Sequence, residues 1–480
     1  MGIKQELEAR AKDIDFMVPY WDKVDAIVEG HDAVRAAGKA FLPMFPAETE
    51  DDYTFRLSVG KFTNVYRDVV EGLSSKPFEN EVTILGKNVP DTITKLMENV
   101  DGSGSNLTMF SALTFFNGIN NAIDWIFVDY PTVKSEKPLS IADAEKMNLK
   151  PYWSHVLAKN VREVRTEVIN SKEVLSYIRI FEPAMNTTPN RFRVFERTGS
   201  IVNWTLYREE KNDYVIDDQG VLSIDVIPLV PFATGRRDGK SFKFFPVMRD
   251  AVDLQVTLYQ NESALEFIKT MAGYPMLAAN GMKPQMGSDG KTPMKVAIGP
   301  MKVLYGVPDG AGNHGEWKFI EPNANCMEFL QKNIDKTKQD LRELGRQPLT
   351  ALSSQLTTVT TSIAAGKAKS AVTAWALGLK DALENALVIT AKWMKLNDYD
   401  PEVNVYTGFD NVLDDGSDLT ELGKARERGD LSLETYWSEL KRRKVLSPEF
   451  EAEDEKTKIL DEIPNGDNPL DSPTITTEKL

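Results

Sequence analysis

The chain has 480 residues, 41% hydrophobic and 27% charged, which suffices for several packed cores in a soluble globular protein. Its net charge of −15 argues against a protein that holds nucleic acid by broad electrostatic attraction. No apolar run reaches bilayer-spanning length, the start MGIKQELEARAKDIDF has no apolar signal core and no Ser/Thr at its sixth position for myristoylation, and the single cysteine, Cys326, excludes an intrachain disulfide.

Residues 1–130 are expected to be mainly helical. Tyr20, Trp21, Val24, Ile27 and Val28 give one helical face, Asp51 to Leu73 a second, and Leu107 to Val128 a third, rich in Phe and Ile and expected to be buried. Pro43-Met-Phe-Pro46 and Gly102-Ser-Gly-Ser105 are the breaks between them.

From about Asn160 the apolar period falls towards two. Strands are expected at Val161–Ile169, Tyr177–Phe181, Phe192–Glu196, Val202–Tyr207 and Leu222–Ile227, forming an antiparallel sheet that the chain leaves at Ile227-Pro-Leu-Val-Pro-Phe232. Gly235-Arg-Arg-Asp-Gly-Lys240 reads as a basic turn. It falls one residue short of the phosphate-loop spacing, and Pro231 before it weakens a buried parallel strand.

Helix returns at Pro246–Ala272. Gly273 to Pro322 is Gly/Pro-rich, with short strands expected at Lys295–Ile298, Lys302–Tyr305 and Glu316–Ile320. A second helix, Asn325 to Leu344, carries apolar residues at Met327, Phe329, Leu330, Ile334, Leu341 and Leu344, and Gly345-Arg-Gln-Pro348 stops it. After the Ser/Thr-rich segment Leu349–Thr357 comes a helix of about 36 residues, roughly 54 Å long at 1.5 Å per residue and far beyond the usual globular length. It is rich in small residues, among them Ala364, Ala365, Gly366, Ala371, Gly378 and Ala386, which suit close helix approach either within a subunit or between subunits. Trp375 and Trp393 read as core anchors. A strand at Glu402–Tyr406 and short helices opened by Ser432 and by Ser447-Pro-Glu follow, and 464–480 is expected to be disordered.

No catalytic, cofactor or metal motif is found. His31, His155 and His314 have no ligand spacing, and Cys326 is expected to fill a small apolar site. The acidic segment with Asp400, Asp410, Asp414, Asp415 and Asp418 lacks a calcium-loop pattern, and no dinucleotide fingerprint or nucleophile elbow is present.

The order of these elements resembles the portal proteins of tailed bacteriophages. The resemblance runs over about 15–462 and is carried by Tyr20-Trp-Asp-Lys-Val24, Ile227–Phe232, Phe245–Asp253 with Tyr259-Gln-Asn-Glu-Ser263, Thr360–Ala365 leading into Ala382–Leu387, and Gly429–Trp437 ending in Arg442-Arg443. It implies an α+β, mainly helical fold with wing, stem, clip and crown around a central channel. The implied division is a helical wing at 1–160, a β-rich wing at 161–246, a first stem helix at 247–272 and a clip at 273–324. A second stem helix at 325–344, a tunnel loop at 345–357, a long wing helix at 358–396, a crown at 397–463 and a tail at 464–480 complete it.

The resemblance further implies a non-enzymatic homododecamer at one capsid vertex of the virion, assembled in the host cytoplasm. Its partners would be the major capsid protein, the terminase large subunit, a tail adaptor, and double-stranded DNA passing without sequence specificity; no membrane is involved. Twelve copies at −15 give a ring near −180, which repels phosphates and lets DNA slide. On this reading Arg346, Gln347, Leu349, Thr350, Ser353, Ser354 and Gln355 form the tunnel loop. Lys332, Lys336, Lys338, Arg342 and Arg346 are candidate DNA contacts, with ion pairs or solvated helix faces as the alternative. Lys283, Lys291, Lys295 and Lys302 are candidate clip contacts. Two rival readings are a metal-dependent nucleic-acid enzyme and another phage tail or adaptor ring subunit.

Overall fold

The computed structural model describes residues 2–85, 89–131, 147, 149–185, 188–273, 276–280, 282–283, 286, 307–308, 316–320, 324–346, 358–396, 399–407, 417–442, 445–446, 450 and 452–462. The fold mixes helix and sheet and divides into two units, Met1–Thr407 and Gly408–Leu480.

The first unit opens with helices α1 (Ile3–Glu8), α2 (Lys12–Glu29), α3 (His31–Ala36), α4 (Glu50–Val59) and α5 (Val65–Ser74), strand β1 (Thr83–Leu85), and helices α6 (Asp91–Met97) and α7 (Leu107–Asn121). The continuous face expected over Asp51–Leu73 is in fact two helices. Gly60 ends α4, and Asn64 starts α5 by accepting the Arg67 N–H at 3.0 Å.

The expectation that helix continues from Leu107 to Val128 is also corrected. Helix α7 stops at Asn121, Ala122 turns left-handed (φ 69°), and Ile123–Asp129 is strand β2. Side chains from elsewhere satisfy the helix end. Tyr20 OH donates to the Asn120 carbonyl at 2.9 Å, Trp21 Nε1 to the Asn121 carbonyl at 2.9 Å, and Thr234 Oγ1 to the Gly118 carbonyl at 2.7 Å. Burial pushes the phenol of Tyr20 up and that of Tyr66 well up, so both remain neutral donors.

Strand β2 is the centre of a three-stranded antiparallel sheet between β3 (Tyr152–Val156) and β9 (Leu229–Ala233). Being central explains its run of β-branched and aromatic residues without alternation. The segment 227–232 thus leaves the sheet built from residue 161 onward, as expected, and its residues from Leu229 join this second sheet as an edge strand. Pro231, opposite Trp125, is tolerated because β9 is an edge strand and its pyrrolidine faces outward.

The five-stranded antiparallel sheet has strand order β4 (Val161–Ile169), β5 (Lys172–Glu182), β6 (Arg191–Thr198), β7 (Ile201–Glu210) and β8 (Asp213–Val221). Its last strand is Asp213–Val221, not the expected Leu222–Ile227, whose Ile224 and Ile227 enter the core instead. Lys211 (φ 49°) and Asn212 (φ 68°) make a two-residue turn that starts β8 immediately, as Asn170 (φ 47°) and Ser171 (φ 64°) do between β4 and β5. The basic turn is a hairpin of β10 (Arg236–Arg237) and β11 (Phe244–Phe245), with Arg237 clasping Glu173 at 2.7 Å.

Helices α8 (Arg249–Gly273), α9 (Ala324–Arg346) and α10 (Thr358–Trp393) follow. Strands β12 (Met276–Asn280), β13 (Met282–Lys283), β14 (Val307–Pro308) and β15 (Glu316–Ile320) lie between α8 and α9, and β16 (Glu402–Asn404) pairs with β1. The expected strands at 295–298 and 302–305 lie outside the described residues. From Val372 onward α10 packs its buried residues, among them Trp375, Leu379, Leu383 and Leu387, over β9, β2 and α7. Trp393 Nε1 donates to the Val128 carbonyl at 3.0 Å and Trp153 Nε1 to Thr390 Oγ1 at 2.9 Å. Phe232 fills the space between α7 and α10. A Cβ on Gly118 would stand 2.4 Å from its ring, so only glycine permits this approach.

The second unit holds α11 (Ser417–Glu427), α12 (Leu433–Arg442) and α13 (Ala452–Glu462). Ser432 caps α12 by accepting the Thr435 N–H at 3.2 Å, as its sequence predicts. Trp437 packs edge-on to Phe450, and Lys456 pairs with Glu434 at 2.7 Å. The start signal Ser447-Pro-Glu lies outside the described residues.

Candidate channel-forming segment and the joint that holds it

The candidate segment runs from α8 to α10. Helices α8 and α9, of 25 and 23 residues, span roughly 35 Å each at 1.5 Å per residue, and they pack against one another. The chain between them pairs β12 with β15 in an antiparallel ladder, Met276 opposite Ile320 and Asn280 opposite Glu316, with β13 against β14. The ladder fixes the two helices as an out-and-back pair.

A buried polar joint fastens that pair to the helices before it. The chain at 60–65 presses on α8, where a Cβ on Gly60 would meet Ser263 Oγ at 3.1 Å. Gln255 Oε1 accepts the N–H groups of Val65 (3.1 Å) and Tyr66 (3.0 Å), while its Nε2 donates to the Thr63 carbonyl at 2.8 Å. Two turns further on, the Glu262 carboxylate accepts Thr63 N–H at 3.0 Å and the Thr63 hydroxyl at 2.8 Å. Lys338 of α9 completes this site at 2.7 Å, and the Glu262 side chain is only 3% exposed. A carboxylate so far from water persists because three donors from two other segments meet it.

The joint decides the fate of one candidate DNA contact. Lys338 lies beside the buried stripe of Ile334, Thr337 and Leu341 and is committed to Glu262, so it is not a free cation. Lys332 and Lys336 lie opposite that stripe by helical spacing and are exposed; Lys332 leans on Glu328 at 2.8 Å. Arg342 is exposed on the flank. Helix α9 continues through Gly345 to Arg346, two residues past the expected stop, so Arg346 ends the helix instead of opening a loop. Gln347, Leu349, Thr350, Ser353, Ser354 and Gln355 lie outside the described residues, as do Lys291, Lys295 and Lys302, while Lys283 falls in β13. Cys326 is exposed near the start of α9, contrary to the apolar role expected of it, and Phe329 one turn on is 70% exposed.

Sequence reasoning missed both the joint and one buried cluster. His155 stacks on Phe110 at 4.0 Å and stands 3.4 Å from the carboxylate of Asp124, which is fully buried in β2. Burial pushes the Asp124 carboxyl up, against the pull of His155 and Asn117. An aspartate inside the Ile123–Val128 run was the available signal. Among the described residues no group of three or more metal-ligating side chains occurs, and no helix is long and apolar enough to cross a membrane.

A family model described as a domain of unknown function, DUF4055, matches residues 247–394, from just before α8 to just after α10. No curated protein matches the chain. Among solved structures the chain is similar to one from the neck of a native GTA particle computed with C12 symmetry. The TM-score is 0.42 at 11% identity, covering 85% of this chain and 98% of that one. It is also similar to one from the neck of an empty GTA particle computed with C6 symmetry. There the TM-score is 0.38 at 10% identity, covering 84% and 91%.

Proposed function

We propose that this chain is the subunit of a closed ring, a phage portal protein or head-to-tail connector, and not an enzyme. The observation that carries the reading is the α8–ladder–α9 pair followed by the 36-residue α10, the order the portal resemblance calls for. In this reading about twelve copies surround an axial channel at one capsid vertex of the virion. The α8–α9 pairs form the stem, 273–324 meets the terminase large subunit and later a tail adaptor, and the outer helices meet the major capsid protein. The polar, exposed face of α9 suits a channel wall, because Lys332 and Lys336 alternate there with Glu328, Asp335, Gln339 and Glu343. Mixed charge of this kind lets a polyanion pass, whereas a continuous basic stripe would bind it tightly and salt-dependently.

Native mass measurement with negative-stain microscopy of the purified protein tests this directly. A closed ring of about twelve subunits with a central hole is expected. A monomer or small oligomer without a pore, under capsid-like conditions and in assembled particles alike, would overturn the proposal.

A further inference from the structure

Strands β4 and β5 pair Val161 with Ile180 and then Glu163 with Arg179, which leaves Arg162 as the extra residue of a β-bulge. Bulges re-aim a side chain. Here the Arg162 guanidinium lies 4.9 Å over the ring of Phe181, on the same strand as Arg179 and two residues beyond it. The chain between α1 and α2 is strapped across the same place. Arg179 donates to the Ala9 carbonyl at 2.9 Å, and Ala11 N–H donates to the Arg162 carbonyl at 2.9 Å. Arg10 is thereby fixed between two residues, each bonded to one of the other arginines.

The charges do not balance. Arg162 and Arg10 make no hydrogen bond or ion pair through their guanidinium groups among the described residues, and the Nε atoms of Arg162 and Arg179 are both buried without a partner. The adjacent carboxylate, Glu163, is already shared between Arg179 at 3.1 Å and Arg165 on its other side. Burial first, then the neighbouring charges of Arg10 and Arg179, pushes Arg162 down to about 10, against the weaker opposing pull of Tyr214 and Glu8. Three like charges gathered partly out of water, with only Arg179 ion-paired, are unfavourable, and an anion placed among them adds an attraction to each guanidinium that offsets their mutual repulsion.

We propose that Arg10, Arg162 and Arg179 form a binding site for a phosphate-type oxyanion. A tetrahedral group carrying between one and two negative charges at neutral pH offers oxygens to several guanidinium forks at once, where a carboxylate offers one planar edge and a single charge. Two sources supply this chemistry, free phosphate and the backbone of a nucleic acid. The site stands whether or not subunits close into a ring.

The test is thermal unfolding of the full-length protein while inorganic phosphate replaces chloride at constant ionic strength. A saturable rise in Tm is expected. In Arg162→Gln the rise is lost, yet the Tm in chloride equals or exceeds that of the original protein, because an unpaired charge has gone. Arg10→Gln, at an exposed position, provides the second variant. It weakens phosphate several-fold and does not lower the Tm in chloride. A short DNA duplex that competes with phosphate in an Arg162-dependent way assigns the site to backbone phosphate, and a duplex without effect assigns it to the free ion. Phosphate indistinguishable from chloride, or a phosphate response that survives both substitutions, overturns the proposal.

Discussion

Replacing Lys338 by Met tests whether the α8–α9 pair is fastened as described. The substitution keeps the aliphatic stem but removes the charge 2.7 Å from Glu262, whose side chain is 3% exposed. Removing one partner of a buried ion pair costs about 3–5 kcal/mol when the other charge is left bare. Two features reduce that figure here. Thr63 still gives Glu262 two hydrogen bonds, and the Lys338 side chain is itself 26% exposed, so its desolvation in the native protein is incomplete. A loss of about 2 kcal/mol is expected by the same reasoning. Glu262→Leu with Lys338→Met should cost less than the sum of the single changes, because no charge is then left inside. Urea unfolding followed by tryptophan fluorescence, run as a double-mutant cycle, gives the coupling. A coupling near zero, with Lys338→Met costing less than about 0.5 kcal/mol, a value ordinary for a surface pair, would show that the joint is solvated and the reasoning wrong.

Two further outcomes follow from the core. Gly118→Ala places a Cβ 2.4 Å from the Phe232 ring. Overpacking of about 1–3 kcal/mol outweighs a helix-propensity gain of about 1 kcal/mol, so net destabilisation is expected in denaturant melts, and Phe232→Leu in the same chain should relieve part of it. The raised carboxyl of Asp124 means that the folded chain holds its proton more tightly than the unfolded chain, whose group titrates near 3.8. Stability from this group is therefore present at low pH and lost as pH rises from about 3.8 through the folded value. Asp124→Asn should flatten that part of the stability–pH profile; an unchanged profile would show that His155 compensates the charge fully.

The order of the long elements was legible in the sequence because it rests on local chemistry. The apolar spacing of α9, the serine cap before α12, the period-two stretches of β4 to β7 and the length of α10 need only neighbours in the chain. What misled was also local. Apolar residues from Leu107 to Val128 give no clue that Tyr20, Trp21 and Thr234 will satisfy the helix end at Asn121. The two-residue turn at Lys211-Asn212 was a readable signal for β8 that alternation further along obscured.

By itself the sequence determined composition, element order and the absence of recognisable catalytic motifs, since these depend on residue type and spacing alone. Tertiary structure alone decided which charges are spoken for. Lys338 reads like Lys332 and Lys336 along the chain, and only the packing of α9 on α8 turns it towards Glu262. Arg10, Arg162 and Arg179 are far apart in sequence, and only a bulge, the bond from the Arg179 guanidinium to the Ala9 carbonyl and one backbone hydrogen bond bring them together. Electrostatic partners are set by distance and burial, and long-range folding fixes both.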